Sequence, residues 1–205
     1  MDYRIVGMIG TNCYLLINDS AGQCVLVDAA GEADKLSQMI EKSGCTLTAI
    51  LLTHGHYDHV MAVEELRKKY GVKVYASEEE KEVLENPQYN LSAGQSYELT
   101  VKADVLHKDG EILELAGMDI EVFHTPGHTK GGACYYVSEA EMLYSGDTLF
   151  VCSVGRTDFP TGSMSQIVRS VKEKLMTLPD ATKVFPGHGE STSVSYEKKY
   201  NPFCQ

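Results

Sequence analysis

The chain has 205 residues, 43% of them hydrophobic and 23% charged, enough for one domain with a sizeable core. Its formal net charge of −11, from 29 acidic and 18 basic side chains, argues against the basic face that nucleic acid requires. No apolar run approaches a membrane span, the opening Met1-Asp2-Tyr3-Arg4-Ile5 lacks a targeting pattern, and the six scattered cysteines contain no Cys-x-x-Cys pair, so free thiols and a cytoplasmic setting are expected.

Taken in order, residues 2–9 read as a first strand. Residues 12–17 and 24–28 read as a hairpin joined at Asn18-Asp19-Ser20-Ala21-Gly22, a cluster of turn formers. The second strand ends in Asp28, which reads as a turn former or a support behind ligands rather than a ligand itself. Residues 32–43 place Leu36, Met39 and Ile40 on one helical face, with Gly44 as the stop. The strand expected over 48–53 is apolar enough to be buried. It delivers Thr53-His54-Gly55-His56-Tyr57-Asp58-His59. Three imidazoles and a carboxylate this close together point to a transition metal.

A helix is expected over 60–70, ending at Gly71, then a strand over 72–76. Ser77 before Glu78-Glu79-Glu80 marks a further helix start, with acids at the positive end of the dipole, and Pro87 bounds it. Residues 88–100 carry no clear period. From 101 the pattern turns to strands over 101–105, 111–115 and 118–124, then a hairpin of 132–137 and 141–145. The stretch 150–162 is a polar, irregular loop. Ser163 with Gln166 predicts a capping box for a helix to about 177, residues 182–185 a last strand, and the polar stretch 190–205 has room for a short helix. With no linker, composition break or repeat, the order predicts one α/β domain over 1–205, two β-rich halves with helices on their outer faces.

Three more donors repeat the arrangement of strand, glycine-containing turn and donor: His128 in His124-Thr125-Pro126-Gly127-His128-Thr129, Asp147 in Ser145-Gly146-Asp147-Thr148, and His188 in Pro186-Gly187-His188-Gly189. Of the seven histidines, His107 is expected on the surface or in a turn, and His124 packed or behind the ligands. The remaining seven donors, His54, His56, Asp58, His59, His128, Asp147 and His188, exceed what one tetrahedral metal uses. Two metals sharing a carboxylate would use them all. One takes His54, His56, His128 and an oxygen of Asp147; the other takes Asp58, His59, His188 and the second oxygen of Asp147.

The motifs THGHYDH (53–59), HTPGHT (124–129), SGDTLF (145–150), VGRTDFP (154–160) and FPGHG (185–189) resemble, in order and over most of the chain, a metallo-β-lactamase-fold hydrolase of the short glyoxalase II-like branch. The resemblance implies a four-layer αββα sandwich of two mixed sheets, with a dinuclear site at one sheet edge, and the same ligand assignment. It implies hydrolysis of a small-molecule thioester, as in hydroxyacylglutathione hydrolases, by attack of a metal-bridging hydroxide that Asp58 orients. Two divalent cations are implied, zinc first, with iron or manganese as alternatives. Where such enzymes place an aromatic residue after the last histidine motif, this chain has Gly189-Glu190-Ser191, so glutathione is not fixed as the thiol carrier.

Arg156 and Lys130 are the cations beside these motifs and are candidate contacts for an anionic substrate; equally, Arg156 would pair with Asp158 and stiffen its loop. Three rival activities share the motif set or the donors: a persulfide dioxygenase with one iron on His54, His128 and Asp147, a hydrolase of another ester or lactone, and a metal-binding module without catalysis. Oligomeric state is not encoded in these features.

Overall fold

Strands with unbroken apolar sequence form here because both of their faces are covered. The computed structural model describes residues 1–96 and 98–205. Its first half contains β1 (Asp2–Val6), β2 (Thr11–Asn18), β3 (Gln23–Val27), α1 (Ala33–Ser43), β4 (Thr46–Leu51), α2 (Tyr57–Val60), α3 (Val63–Tyr70), β5 (Lys73–Ser77), α4 (Lys81–Glu85) and β6 (Val105–His107). These six strands make one sheet in chain order, antiparallel from β1 to β3 and parallel from β3 to β6.

The second half contains β7 (Ile112–Leu115), β8 (Met118–His124), β9 (Ala133–Val137), β10 (Met142–Gly146), β11 (Leu149–Phe150), β12 (Ser153–Val154), α5 (Met164–Glu173), β13 (Lys183–Pro186), β14 (Thr192–Ser193) and α6 (Val194–Tyr200). Its sheet runs β14-β13-β10-β9-β8-β7. Only β10 and β13 pair in parallel, and β11–β12 forms a small separate ribbon.

Side chains alternate across each strand and so divide into layers. On β3 and β4, Leu26 and Ile50 face Leu36, Met39 and Ile40 of α1 and Leu66 of α3. Their neighbours Val25, Val27, Ala49 and Leu51 face the other sheet, against Ile120, Val122, Tyr135 and Tyr144. Beyond that sheet, Cys134, Tyr136, Leu143 and Val184 pack on Ile167 and Val171 of α5. Helix, sheet, sheet and helix therefore stack as the expected four-layer α/β sandwich. Among the described residues no helix is long and apolar enough to cross a membrane, and all six cysteines are free thiols.

Strand direction positions the site. β3 and β4 are parallel and end at one edge. β8 and β10 are both antiparallel to β9, and β13 is parallel to β10, so these three also end together. The two edges are tied across the sandwich. Ala133 N–H donates to Thr53 O (2.8 Å) and Asn12 N–H to Gly187 O (2.7 Å). Tyr135 O–H donates to Leu52 O (2.7 Å).

Several local expectations are corrected. The first strand stops at Val6, where glycines 7 and 10 turn the chain with positive φ. The helix expected over 60–70 is two helices. Ala29 inserts its backbone at the break, its N–H donating to His59 O and its carbonyl accepting from Ala62 N–H. Glu78–Glu80 is a 3₁₀ turn before α4, capped by Ser77 as expected. The strand expected over 101–105 is displaced to 105–107, because Val101 N–H bonds Leu84 O and Asp104 brackets Val74 instead of pairing in a ladder. Ser163 caps α5 by accepting from Gln166 N–H, but the reciprocal half of the box is absent, since Ser163 N–H donates to Gly127 O. The pattern-free stretch 88–100 contains Tyr97, which lies outside the described residues.

Candidate metal centre

Each donor follows a strand end on the common edge. His54, His56, Asp58 and His59 come from the connection after β4 and from α2; His128 follows β8, Asp147 follows β10, and His188 follows β13. Three groups of these side chains place a ligand atom from each within 4.8 Å of one another: His54, His56 and His128; His54, His59 and Asp147; Asp58, His59 and His188. The middle group joins the other two, so the seven donors form one continuous cluster.

The outer nitrogen of nearly every imidazole is anchored. His54 Nδ1 lies 3.1 Å from Thr53 Oγ1, His59 Nδ1 2.8 Å from Asp28 Oδ2, His128 Nδ1 2.8 Å from Arg156 O, and His188 Nδ1 3.3 Å from Gly10 O. A neutral ring that donates from Nδ1 keeps Nε2 unprotonated, with its lone pair turned inward. His56 differs: its Nδ1 faces His128 Nε2 at 2.9 Å. Two acceptor nitrogens cannot face each other at that distance without a proton or a cation between them.

Asp147 is placed to be shared. Its Oδ1 lies 3.4 Å from His59 Nε2, and its Oδ2 lies 3.6 Å from His128 Nε2 and 3.7 Å from His188 Nε2. Asp58 Oδ2 accepts from Thr11 Oγ1 (3.3 Å) and faces His188 Nε2 (3.2 Å) and His59 Nε2 (3.5 Å). Among the described residues, His54 Nε2, His56 Nε2 and Asp147 Oδ1 are buried without a hydrogen-bond partner. Buried polar atoms are normally paired, so the orphans on His54 and Asp147, which sit in one donor group, fit a cation; His56 Nε2 is the nitrogen across the ring from the one that faces His128. The cradle is tight as well: a Cβ on Gly187 would stand 2.3 Å from Asp147 Oδ1 and 2.6 Å from His59 Cε1.

Electrostatics divide the cluster. Burial, with neighbouring imidazoles, holds His56 down at about 3 and His54 well below the ordinary histidine value, so both rings are neutral and ready to ligate. Burial also opposes charge on His59, but Asp58, Asp147 and Asp28 outweigh it and raise its pKa. Burial works against ionisation of Asp147 too, and His59, His128 and His188 overcome it and hold the carboxyl low.

Asp28 stands behind His59. In a left-handed conformation (φ 58°) that an Asp tolerates, it accepts from Thr53 N–H (2.8 Å) and Thr53 Oγ1 (2.7 Å) as well as from His59. One carboxylate thereby fixes a histidine and the start of the histidine loop.

The two candidate substrate cations are each paired with a carboxylate. Arg156 makes a bidentate pair with Asp158 (2.8 and 2.7 Å) and lies 3.9 Å over the Phe159 ring. Its backbone carbonyl, not its guanidinium, serves the cluster. Lys130 pairs with Glu82 on an acidic surface that includes Glu78, Glu79 and Glu85. Loop 150–162 reaches the cluster through Arg156 O and through the Phe159 ring, edge-on to His56 at 5.7 Å between centroids.

His107 is buried rather than exposed. Its Nε2–H donates to the Tyr135 hydroxyl oxygen (2.9 Å), whose own proton goes to Leu52 O, and the His124 ring packs 5.8 Å from it. The residue hidden from sequence is Glu80. Its buried carboxylate accepts from Gly55 N–H (2.8 Å), Thr129 Oγ1 (2.9 Å) and Gly131 N–H (2.9 Å), clamping the loop of His54 and His56 to the loop of His128. Three consecutive glutamates at a helix start do not reveal which one turns inward.

The sequence profile of the metallo-beta-lactamase superfamily matches residues 6–188. Probable metallo-hydrolase YqgX of Bacillus subtilis (strain 168) is 42% identical over 201 residues, 97% of this chain and 94% of the relative. Hydroxyacylglutathione hydrolase GloC of Haemophilus influenzae is 36% identical over 195 residues, 94% of this chain and 92% of the relative. Among solved structures, BLEG-1 B3 metallo-beta-lactamase aligns with a TM-score of 0.94 at 37% identity, covering 100% of this chain and 99% of that one. TTHA1623 in a di-iron-bound form aligns at 0.87 and 32% identity, covering 99% and 100%.

Proposed function

The chain belongs to the metallo-beta-lactamase superfamily and is a metal-dependent hydrolase, and we propose that it cleaves thioesters at a dinuclear centre. In this reading His54, His56, His128 and Asp147 would hold one divalent cation, and Asp58, His59, His188 and Asp147 would hold the other. The observation that carries it is the set of inward-turned ring nitrogens and orphaned buried atoms around the shared Asp147. Zinc suits the imidazole-rich set; the di-iron form of TTHA1623 makes iron the alternative.

Bound cations supply Lewis acidity, lowering the pKa of water and polarising a carbonyl. The chain supplies the placement. Thr11 fixes Asp58, whose pKa, against burial, is lowered by His59 and His188; it stays a carboxylate and can orient an attacking water through an O–H. The water gives one proton to solvent, its oxygen bonds to the acyl carbon, the C–S bond breaks, and its electron pair leaves on sulfur, giving a carboxylic acid and a thiolate. A thiol with pKa about 8.5 leaves without a strong general acid, which suits a cluster whose carboxylates are held ionised. The likeness to GloC supports a thioester.

The likeness to BLEG-1 carries a second reading, β-lactam hydrolysis. That reaction expels an amine, which needs a proton that Asp58 and Asp147 do not carry. Metal-loaded protein assayed on a panel of thioesters and on a β-lactam decides between them: thioester turnover lost in Asp147→Ala is expected, and lactam turnover with inert thioesters would reverse the assignment.

A further inference from the structure

A cavity of about 390 Å³ shares Asp58 with the cluster. Its apolar wall comes from three separate segments: Met8 and Ile9 at the tip of the β1–β2 turn, Met61 at the break between α2 and α3, and Leu99. Met8 is 95% exposed. Single exposed apolar side chains are ordinary, but several converging on one cavity beside a reactive site mark a binding surface.

The wall is anchored to the cluster. Gly7 N–H donates to Glu32 Oε2 (3.0 Å), Gly10 O faces His188 Nδ1 (3.3 Å), and Glu32 is itself paired with Lys35 (2.5 Å). The turn carrying Met8 and Ile9 is therefore tied to a donor histidine on one side and to α1 on the other. Among the described residues that line the cavity, the charged side chains are Glu32 and Asp58, and there is no Lys, Arg or His. An anionic group seated along this wall, away from the cluster, would meet Glu32 and no cation among the lining residues.

We propose that this cavity receives the acyl chain of the substrate and selects uncharged, apolar acyl groups, so that the substrates are thioesters of aliphatic acids rather than of dicarboxylic acids. The inference rests on the thioester reading above. Asp58 joins the two regions, so a chain seated between Met8, Met61 and Leu99 leads its carbonyl towards the cluster.

The test uses metal-loaded protein and thioesters of N-acetylcysteamine, an uncharged thiol. From acetyl to hexanoyl, kcat/KM is expected to rise about fourfold per added methylene, the gain from moving each one out of water, with succinyl the poorest substrate. Met8→Lys and Met61→Lys, both at solvent-exposed positions, should flatten this rise and improve succinyl relative to butanoyl. In parallel, calorimetry with the S-alkyl thioethers of the same thiol, which cannot be hydrolysed, reads the cavity without turnover and should show affinity rising with chain length. Turnover and thioether affinity that both ignore chain length would overturn the acyl cavity and leave thioester hydrolysis standing. Chain-length-dependent thioether binding with no turnover of any thioester would overturn the thioester reading while supporting an apolar site.

Discussion

Asp147 shows how much a single residue can combine: it is buried, held ionised by three histidines, and one of its oxygens lacks a hydrogen-bond partner among the described residues. Asp147→Ala should abolish turnover and lower metal content while the far-ultraviolet circular dichroism spectrum stays native. Asp28 tests support rather than ligation. Because it fixes the outer nitrogen of His59, Asp28→Asn should weaken metal affinity about 10–100-fold in chelator competition; unchanged affinity would remove it from the account. Metal binding should also release protons. His59 and His188 have raised pKa values in the metal-free protein, their carboxylate partners outweighing burial, and a ligating imidazole must give its proton up. Calorimetric titration near pH 7 in buffers of different ionisation enthalpy measures that release. The donors were legible in sequence because each sits directly after an apolar strand beside a glycine turn. His107 was not, because its burial depends on Tyr135 from the other sheet, a partner that no local pattern announces.

At the level of elements, the cluster depends on how loops are joined rather than on helix propensity. The periodicity over 60–70 fits one helix, and nothing in it shows that Ala29 will splice its backbone into the break between α2 and α3. Glu80 is the other joint. Burial pushes its carboxyl up to about 7 from 4.5, against the three donors that favour the ionised form. A carboxyl whose folded pKa exceeds its unfolded one contributes no penalty while protonated in both states. It costs stability increasingly as pH rises from about 4.5 to about 7, and the cost is constant above that. At 1.36 kcal/mol per pH unit the cost is on the order of 3 kcal/mol. Urea unfolding of metal-free protein should therefore show the parent losing stability relative to Glu80→Gln over this range. A difference that does not vary with pH would mean that Glu80 ionises normally. Gly187→Ala tests a different joint, where the turn before His188 passes Asp147: its Cβ would collide with Asp147 Oδ1 at 2.3 Å, so metal content should fall, and unchanged metal content would show that the carboxylate has room to move.

Across the whole molecule, two mixed sheets bring five strand ends to one edge. The layered α/β arrangement was legible because strands covered on both faces read as unbroken apolar runs, and helices with one apolar stripe must lie outside them. Which end of the sandwich carries the apolar cavity was not, since Met8, Met61 and Leu99 are far apart in sequence and become neighbours only through the fold. The pairing of Arg156 with Asp158 was one of the two readings the sequence left open, and the structure shows it; the pairing of Lys130 with Glu82 was not legible, because the two residues are far apart in sequence. The most direct test of a shared Asp147 between two donor sets is elemental analysis of metal per chain in protein purified without added metal. About two divalent ions per chain, zinc or iron, are expected, with both lost together in Asp147→Ala. One ion per chain that no added metal can raise would contradict the dinuclear centre.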